Sequence, residues 1–398
     1  MSITKEGKKM ADTVLHIVLN SFTNDSRVLR ECRTLTAAGY QVHVFSLHET
    51  GLPLKETRDT HELTRFALRT RSLPKSFFWQ LFKYLECVWK MVQKGRLLRP
   101  VLVHAHDRDA LPIGYMIAKL ARSKLVYDAH ELWGHTAHAA KRPANVKKLA
   151  AKMERFIARR AAGVITVTQP IAQYMEESFG IEGVVLLRNL PYYRAREEFS
   201  RDASPLRRDL GIAPDKIILL YQGVISPHRG LELMVKATRY LRDEFVIVIL
   251  GNGILVPHLK ELAADLGVAA RVYFHPAVSP SDLAPYTAGG DIGISIIEDV
   301  CLSYHYCLPN KVFEYMQAGL PVVVSNLPEM RKVVEEYKVG LVLASWDPEL
   351  IANELNVFLE KDLYRIYSEN TGKAASLFCW EREEGKLIDL YVNILADR

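Results

Sequence analysis

The chain has 398 residues, 49% hydrophobic and 25% charged, which excludes a largely disordered protein. At roughly 100–200 residues per domain there is room for two or three domains, each with its own core. Lysine and arginine number 52 against 46 acids, a formal charge of +6. That surplus is too modest to imply nucleic acid, so its distribution matters more than its size. No apolar run approaches the roughly 18–20 residues that cross a bilayer. The polar start MSITKEGKKMADT lacks the apolar stretch of a secretory signal, and the five cysteines are scattered without a C-x-x-C pair. A cytoplasmic protein is expected.

Residues 14–20, VLHIVLN, form a short β-branched run that predicts a buried strand. After the polar loop SFTNDS, Val28, Leu29, Cys32 and Leu35 recur at helical spacing, with Asp25 or Ser26 as N-cap and Gly39 as the stop. QVHVFSL, VLVHAH, KLVYDAH and GVITVT follow as strands with helical segments between them. Residues 189–214 are polar, charged and proline-containing, and read as an interdomain linker. The alternation then restarts: IILLYQG, FVIVILGNG, RVYFHP, DIGISII, PVVVS and VGLVL as strands, GLELMVKATRYL, LVPHLKELAADLG, NKVFEYMQAG and EMRKVV as helices. Such alternation implies α/β domains with parallel sheets and right-handed crossovers, whose ligands bind at the carboxyl ends of the strands.

The strand-to-helix junctions carry the chemistry. Gly251-Asn252-Gly253 begins a dinucleotide fingerprint, but Val256 stands where the third glycine belongs. The glycines fit either a tight turn or a close approach to a nucleotide. Pro309 opens a helix at Asn310 and Lys311, and the amides after a helix-initiating proline make an anion site. Glu314, one turn in, is either a solvated acid or the acceptor of a ribose diol. Arg229, beside the next helix start, is either a surface side chain or a second phosphate clamp that cannot lose its charge. His104 and His106 share one strand face, yet no third metal ligand lies at convincing spacing, and no metal site is assigned. Asp107-Arg108-Asp109 imitates the D-x-D of metal-dependent sugar transferases but follows a parallel strand into an expected loop, an accidental match. In His130-Glu131-Leu132-Trp133-Gly134-His135 the second histidine falls one residue late for a zinc protease. A redox Rossmann enzyme, an esterase and a P-loop NTPase lack their motifs.

Together these pieces resemble glycosyltransferase family 4, the "glycosyl transferases group 1": retaining, nucleotide-sugar-dependent enzymes of the GT-B fold. The resemblance is carried by NDSRVLRECRTLTAAGYQVHVFS, VHAHDRDALPIGYMIAKL, KLVYDAHELW, LLYQGVISPHRGLELMVKA, VILGNG, LPNKVFEYMQAGLPVVVSNLPEMRKVV and FCWEREEGKLIDLYVNIL, in order over nearly the whole chain. It implies two Rossmann-like doubly wound domains facing across a cleft: residues 12–195 for the acceptor, 212–376 for the nucleotide-sugar donor. A helix over 377–398 would cross back. The reaction implied is metal-independent transfer of a sugar from a UDP-, GDP- or ADP-sugar to a hydroxyl of a glycan or lipid-linked acceptor, with no cofactor. By position, Arg229 and Lys311 would hold the diphosphate and Glu314 the ribose. Pro309, Asn310 and Lys311 amides would lie under the phosphates. Gly223, Gly251, Gly253 and His275 would line the nucleotide pocket. His106 would contact the transferred sugar, and Asn24, Asp25, His130 and Glu131 would lie on the acceptor side.

Three positions depart from the family pattern. Tyr306 stands where a second glutamate precedes Glu314, Gly223-Val224-Ile225 replaces a Gly-Arg-Leu, and residues 20–25 replace a glycine-rich loop. A non-catalytic nucleotide-sugar-binding subunit and a nucleotide-sugar epimerase are the alternatives. Residues 65–100 hold nine basic residues against one acid, Glu86, interleaved with Phe77, Phe78, Trp79, Phe82, Tyr84 and Trp89. Lys141, Arg142, Lys147, Lys148 and Lys152 follow. Either the aromatics are core, or a basic aromatic helix lies on an anionic membrane surface, giving a peripheral protein on the cytoplasmic face.

Overall fold

The computed structural model describes residues 11–23, 25–74, 76–137, 142–195, 200–201 and 203–396. The chain divides into two compact units, residues 1–134, 138–188 and 384–398 in the first and 135–137 with 189–383 in the second. Each is built on one twisted sheet. No helix among the described residues is long and apolar enough to cross a membrane.

The first sheet comprises β1 (Thr13–Ile17), β2 (Gln41–Leu47), β3 (Lys55–Arg58), β4 (His61–Phe66), β5 (Leu102–His106), β6 (Lys124–Ala129), β7 (Gly163–Thr166) and β8 (Val185–Leu186). The spatial order is β3-β4-β2-β1-β5-β6-β7-β8, parallel except between β3 and β4. The expected strands all form because their β-branched runs are buried on both faces. β3, β4 and the two-residue β8 have no counterpart in the sequence reading. β4 buries His61, Leu63 and Arg65 in alternation, so two of its three inward residues are polar and its apolar signal is weak. The first helix, Ser26–Ala37, starts where expected: the Asp25 carboxylate accepts the Val28 N–H at 3.3 Å. The chain leaves it through Gly39 at φ 92°, a left-handed conformation suited to glycine.

The second sheet comprises β9 (Ile217–Gln222), β10 (Phe245–Leu250), β11 (Val272–His275), β12 (Ile292–Ser295), β13 (Val322–Ser325) and β14 (Gly340–Leu343). Its order is β11-β10-β9-β12-β13-β14, and every pairing is parallel. Crossovers leave β1 and β9 to opposite sides, so each sheet has a switch point where loops diverge and a ligand can enter.

Two local readings change. Residues 189–214 are no bare linker. Ser204 caps and Pro205 begins a helix, Pro205–Leu210, which ends at Gly211. Its Leu206 is buried beside Leu190, Ile212 and Ile218 in the second unit's core. Asp107 opens not a loop but the helix Asp107–Ala121. The final helix, Trp380–Ala396, has a fully buried Trp380 whose N–H donates to Pro191 O at 2.8 Å in the second unit. Its Leu387, Tyr391 and Ile394 are buried in the first.

Candidate active site

In the second unit, β9 ends at Gln222, and this side chain ties three elements together. Its Nε2 donates to Glu314 Oε2 at 2.5 Å, and its Oε1 accepts from Thr287 Oγ1 at 2.8 Å. Its backbone N–H donates to the Tyr315 hydroxyl at 3.0 Å, which in turn donates to Ile294 O at 3.2 Å. Glu314 and Tyr315 thus fix the helix Asn310–Gln317 against the sheet end. Pro309 occupies its N-cap, no side chain caps it, and its first turn holds no acid. The positive end of the helix dipole is left uncompensated.

Two cations accompany that helix end. Lys311 Nζ lies 3.7 Å from the Tyr221 ring centroid, and the Arg229 guanidinium 5.0 Å from that of Tyr304. Neither is in an ion pair among the described residues. Burial of the ammonium, then the neighbouring charge of Arg229, push Lys311 down to about 7, with Glu314 opposing. Gly223 sits at φ 127°, and a Cβ there would come within 3.3 Å of Lys311 Nζ. A Cβ on Gly251 or Gly253 would fall 1.9 Å from the carbonyl of Gly223 or Ile225, so backbone packed on backbone demands both glycines. His275 ends β11 beside them, its carbonyl accepting the Gly251 N–H at 2.9 Å. Its Nδ1 donates to Pro276 O at 2.7 Å.

In the first unit the carboxyl ends of β1, β5 and β6 assemble a buried polar cluster. Register explains it: His16 pairs with His104 across β1 and β5, and His106 with Asp128 across β5 and β6. Arg27 donates to both oxygens of Asp128, at 2.8 and 2.9 Å, and to Leu187 O at 2.9 Å. One turn on, Glu31 Oε1 is 3.1 Å from Arg27 Nε. His106 reaches His16 Nδ1 at 2.9 Å through Nε2 and His130 Nε2 at 3.3 Å through Nδ1. The Tyr391 hydroxyl lies 2.8 Å from His104 Nδ1. His130 is the partly exposed tip, 3.2 Å from Asp128 and 3.4 Å from Asp107. Burial lowers it, but Asp107 and Asp128 hold it protonated, up to about 9. Burial raises Glu31 to about 8 against the pull of Arg27. Burial works against the Asp128 carboxylate as well, yet Arg27 and His130 keep it far below the usual range.

Both units match known families. Residues 25–189 match the "Glycosyl transferase 4-like domain" and residues 202–376 "Glycosyl transferases group 1". The chain belongs to the GT-B glycosyltransferases. It is 24% identical over 304 residues to a D-inositol 3-phosphate glycosyltransferase of Geodermatophilus obscurus, covering 73% of this chain and 66% of that protein, just under two thirds. The fold is shared with sucrose-phosphate synthase from Thermosynechococcus elongatus, at TM-score 0.79, 18% identity and coverage of 97% of this chain and 100% of that one. It is also shared with Anabaena HepE in complex with UDP-glucose, at TM-score 0.70, 17% identity and coverage of 97% and 99%.

Within this glycosyltransferase, the positions expected to hold a donor gather around the end of β9: Gly223, Gly251, Gly253, Pro309, Asn310, Lys311 and Glu314, with Arg229 at the next helix start. Of the acceptor-side residues, Asn24 lies outside the described residues. Asp25 is engaged as a helix cap and by Asn20 Nδ2 at 2.9 Å. Glu131 is half-buried beside His130. His106 is only 2% exposed, so His130 covers it. Tyr306 follows the short helix Leu302–His305, its ring against His305 at 4.9 Å. Sequence reasoning missed Gln222, Thr287, Arg27, Glu31 and His16. β1 did hold a signal, since His16 sits in a run that is otherwise apolar from Val14 to Ile17.

Half of the named aromatics face outward; Trp79 and Tyr84 are half-buried, and the Phe77 side chain lies outside the described residues. Along the helix Phe77–Leu98, Phe78, Leu81, Phe82, Leu85 and Trp89 recur at three- and four-residue spacing and are all exposed, Trp89 by 63%. The helix Ala144–Ala158 exposes Leu149, Met153 and Phe156. Lys141 lies outside the described residues.

Proposed function

We propose that the protein is a retaining family 4 hexosyltransferase that moves a sugar from a nucleoside-diphosphate sugar to a hydroxyl of a glycan or lipid-linked acceptor, without a metal at the diphosphate. One observation carries the reading: Arg229 and Lys311, two cations in no ion pair among the described residues, stand with an uncapped helix N-terminus near one strand end. Like charges gathered this way call for an anion, and a diphosphate satisfies all three. Glu314, oriented by Gln222, accepts from the ribose hydroxyls, and His275 with Gly251 and Gly253 borders the base.

When the sugar leaves, negative charge grows on the β-phosphate. The oriented helix amides, Arg229 and Lys311 stabilise it without reorganising. No protein nucleophile is assigned; the departing phosphate takes the acceptor proton on the same face. His130, backed by His106, Asp128 and Glu131, meets the sugar or acceptor. UDP is the first donor base to try, given the nucleotide in the HepE structure. The exposed apolar stripe of the helix Phe77–Leu98, flanked by the bases of residues 65–100, suits an anionic membrane surface on which a lipid-linked acceptor is presented.

Arg229→Ala and Glu314→Ala are expected to lower transfer from radiolabelled nucleotide-sugars on the order of 10²–10³-fold while far-UV circular dichroism stays unchanged. Undiminished turnover in both variants contradicts the assignment.

A further inference from the structure

The buried cluster at the ends of β1 and β5 offers a set of donors that do not themselves meet substrate in the proposed transfer, where His106 only backs His130. We propose that His16, His106 and Glu31 bind one divalent transition-metal ion of the zinc class, a structural ion within the first unit.

The geometry comes first. His16 Nδ1, His106 Nε2 and Glu31 Oε2 are separated by 2.9, 3.9 and 3.7 Å. The point equidistant from these three atoms lies about 2.1 Å from each, within the ~2.0–2.2 Å of zinc–imidazole and zinc–carboxylate bonds. His104 belongs to the same group, one ligand atom from each of the four residues lying within 4.8 Å of the others. Its ring stacks on His106 at 4.3 Å and 13°, so it joins as a fourth ligand only by turning.

The second observation is an unmet need at the centre of the group. Glu31 is fully buried, and among the described residues neither of its oxygens accepts a hydrogen bond; His104 Nε2 makes none either, though it lies 3.7 Å from Asp128 Oδ2. Arg27 is close, but its N–H groups go to Asp128 and Leu187 O. A buried carboxylate without donors is unfavourable, and a cation bonded to it removes the deficit.

The outer shell is already built. His106 Nδ1 lies 3.3 Å from Asp128 Oδ2, and His16 Nε2 lies 3.4 Å from the Tyr391 hydroxyl. Metal-bound histidines characteristically give their other N–H to a carboxylate or oxygen of this kind, which fixes the tautomer that aims the free nitrogen at the ion. Without metal, His16 and His106 share one hydrogen bond. On metal binding its proton moves to the far nitrogen of the same ring, and a Glu31 proton, where present, leaves to solvent. With the three ligands almost entirely buried, the ion would pin β1 and β5 to the helix Ser26–Ala37.

Imidazole with one carboxylate suits Zn2+ and Co2+ better than Mg2+ or Ca2+, which makes cobalt the probe. The tag-free full chain, stripped with chelator and desalted, is titrated with Co2+. The proposal expects a visible d–d absorption saturating at one cobalt per chain, displaced by Zn2+ and retained through a second desalting. His16→Asn and Glu31→Gln are expected to lose the band while keeping native circular dichroism. Should either variant fail to fold, the titration of the wild-type chain decides alone. A folded wild-type chain with no band and no retained metal by mass spectrometry overturns the proposal, as does full occupancy in both folded variants. Neither result bears on the diphosphate reading, whose groups lie in the other unit.

Discussion

At the end of β9 the second unit leaves Arg229 and Lys311 outside any ion pair among the described residues. At the ends of β5 and β6 the first unit surrounds Arg27 with Asp128 and Glu31, and His130 with Asp107 forms the partly exposed edge. Both places are switch points of parallel sheets, with a helix entering after the central strand. The difference lies in how charge is balanced. Where the protein's own acids complete the balance, the charges serve the fold, and removing one strands another in low dielectric. Where the balance is left open, the charges wait for a ligand, and removing one should spare the fold but not the function.

The largest expected effect breaks the closed side. Asp128→Asn strands the buried Arg27 guanidinium and should cost about 3–5 kcal/mol, read by urea denaturation of the full chain. A loss below about 1 kcal/mol would show that the cluster tolerates an unpaired charge. Arg229→Ala tests the open side. Its denaturation midpoint should stay within about 0.5 kcal/mol of wild type, while transfer falls on the order of 10²–10³-fold.

Lys311 sharpens the contrast through pH. Its folded value of about 7 lies below the ordinary 10.5, so the folded chain binds fewer protons than the unfolded one between those limits. Stability attributable to this residue therefore rises with pH across about 7 to 10.5. A bound diphosphate favours the protonated ammonium, so affinity should weaken above pH 7, by up to about tenfold per pH unit for one linked proton. Lys311→Met should flatten that slope in calorimetric titrations with UDP; an equally steep profile in the variant would assign the proton elsewhere.

The smallest effect on the fold is expected from the aromatic helix. Phe78→Ser with Trp89→Ser should shift stability by less than about 0.5 kcal/mol per site, yet reduce flotation with anionic vesicles. Equal flotation of wild type and variant, or none by either, would remove the membrane surface from the account.

Most strands of both sheets were legible because they are short, largely apolar runs, and helix starts were marked by Asp25 and Pro309. β4 was not, because histidine and arginine occupy its inward positions. The helix Pro205–Leu210 hid in a charged stretch, though its Leu206 is fully buried. The proposed donor-side residues could be named through the family resemblance, which rests on contiguous motifs at strand ends and a helix start; the residues alone left both readings open. The polar cluster could not be assembled this way. His16, Glu31, His104 and Tyr391 meet only through strand register and the return of the last helix, a pairing of positions up to 375 residues apart.

The most direct test is titration of the wild-type chain and Arg229→Ala with UDP, GDP and ADP, followed by thermal unfolding and calorimetry. The account predicts that at least one diphosphate raises the midpoint of the wild-type chain by mass action, and that the variant loses most of that shift while starting from the same midpoint. Absence of a shift with all three nucleotides, or an undiminished shift in Arg229→Ala, would contradict it.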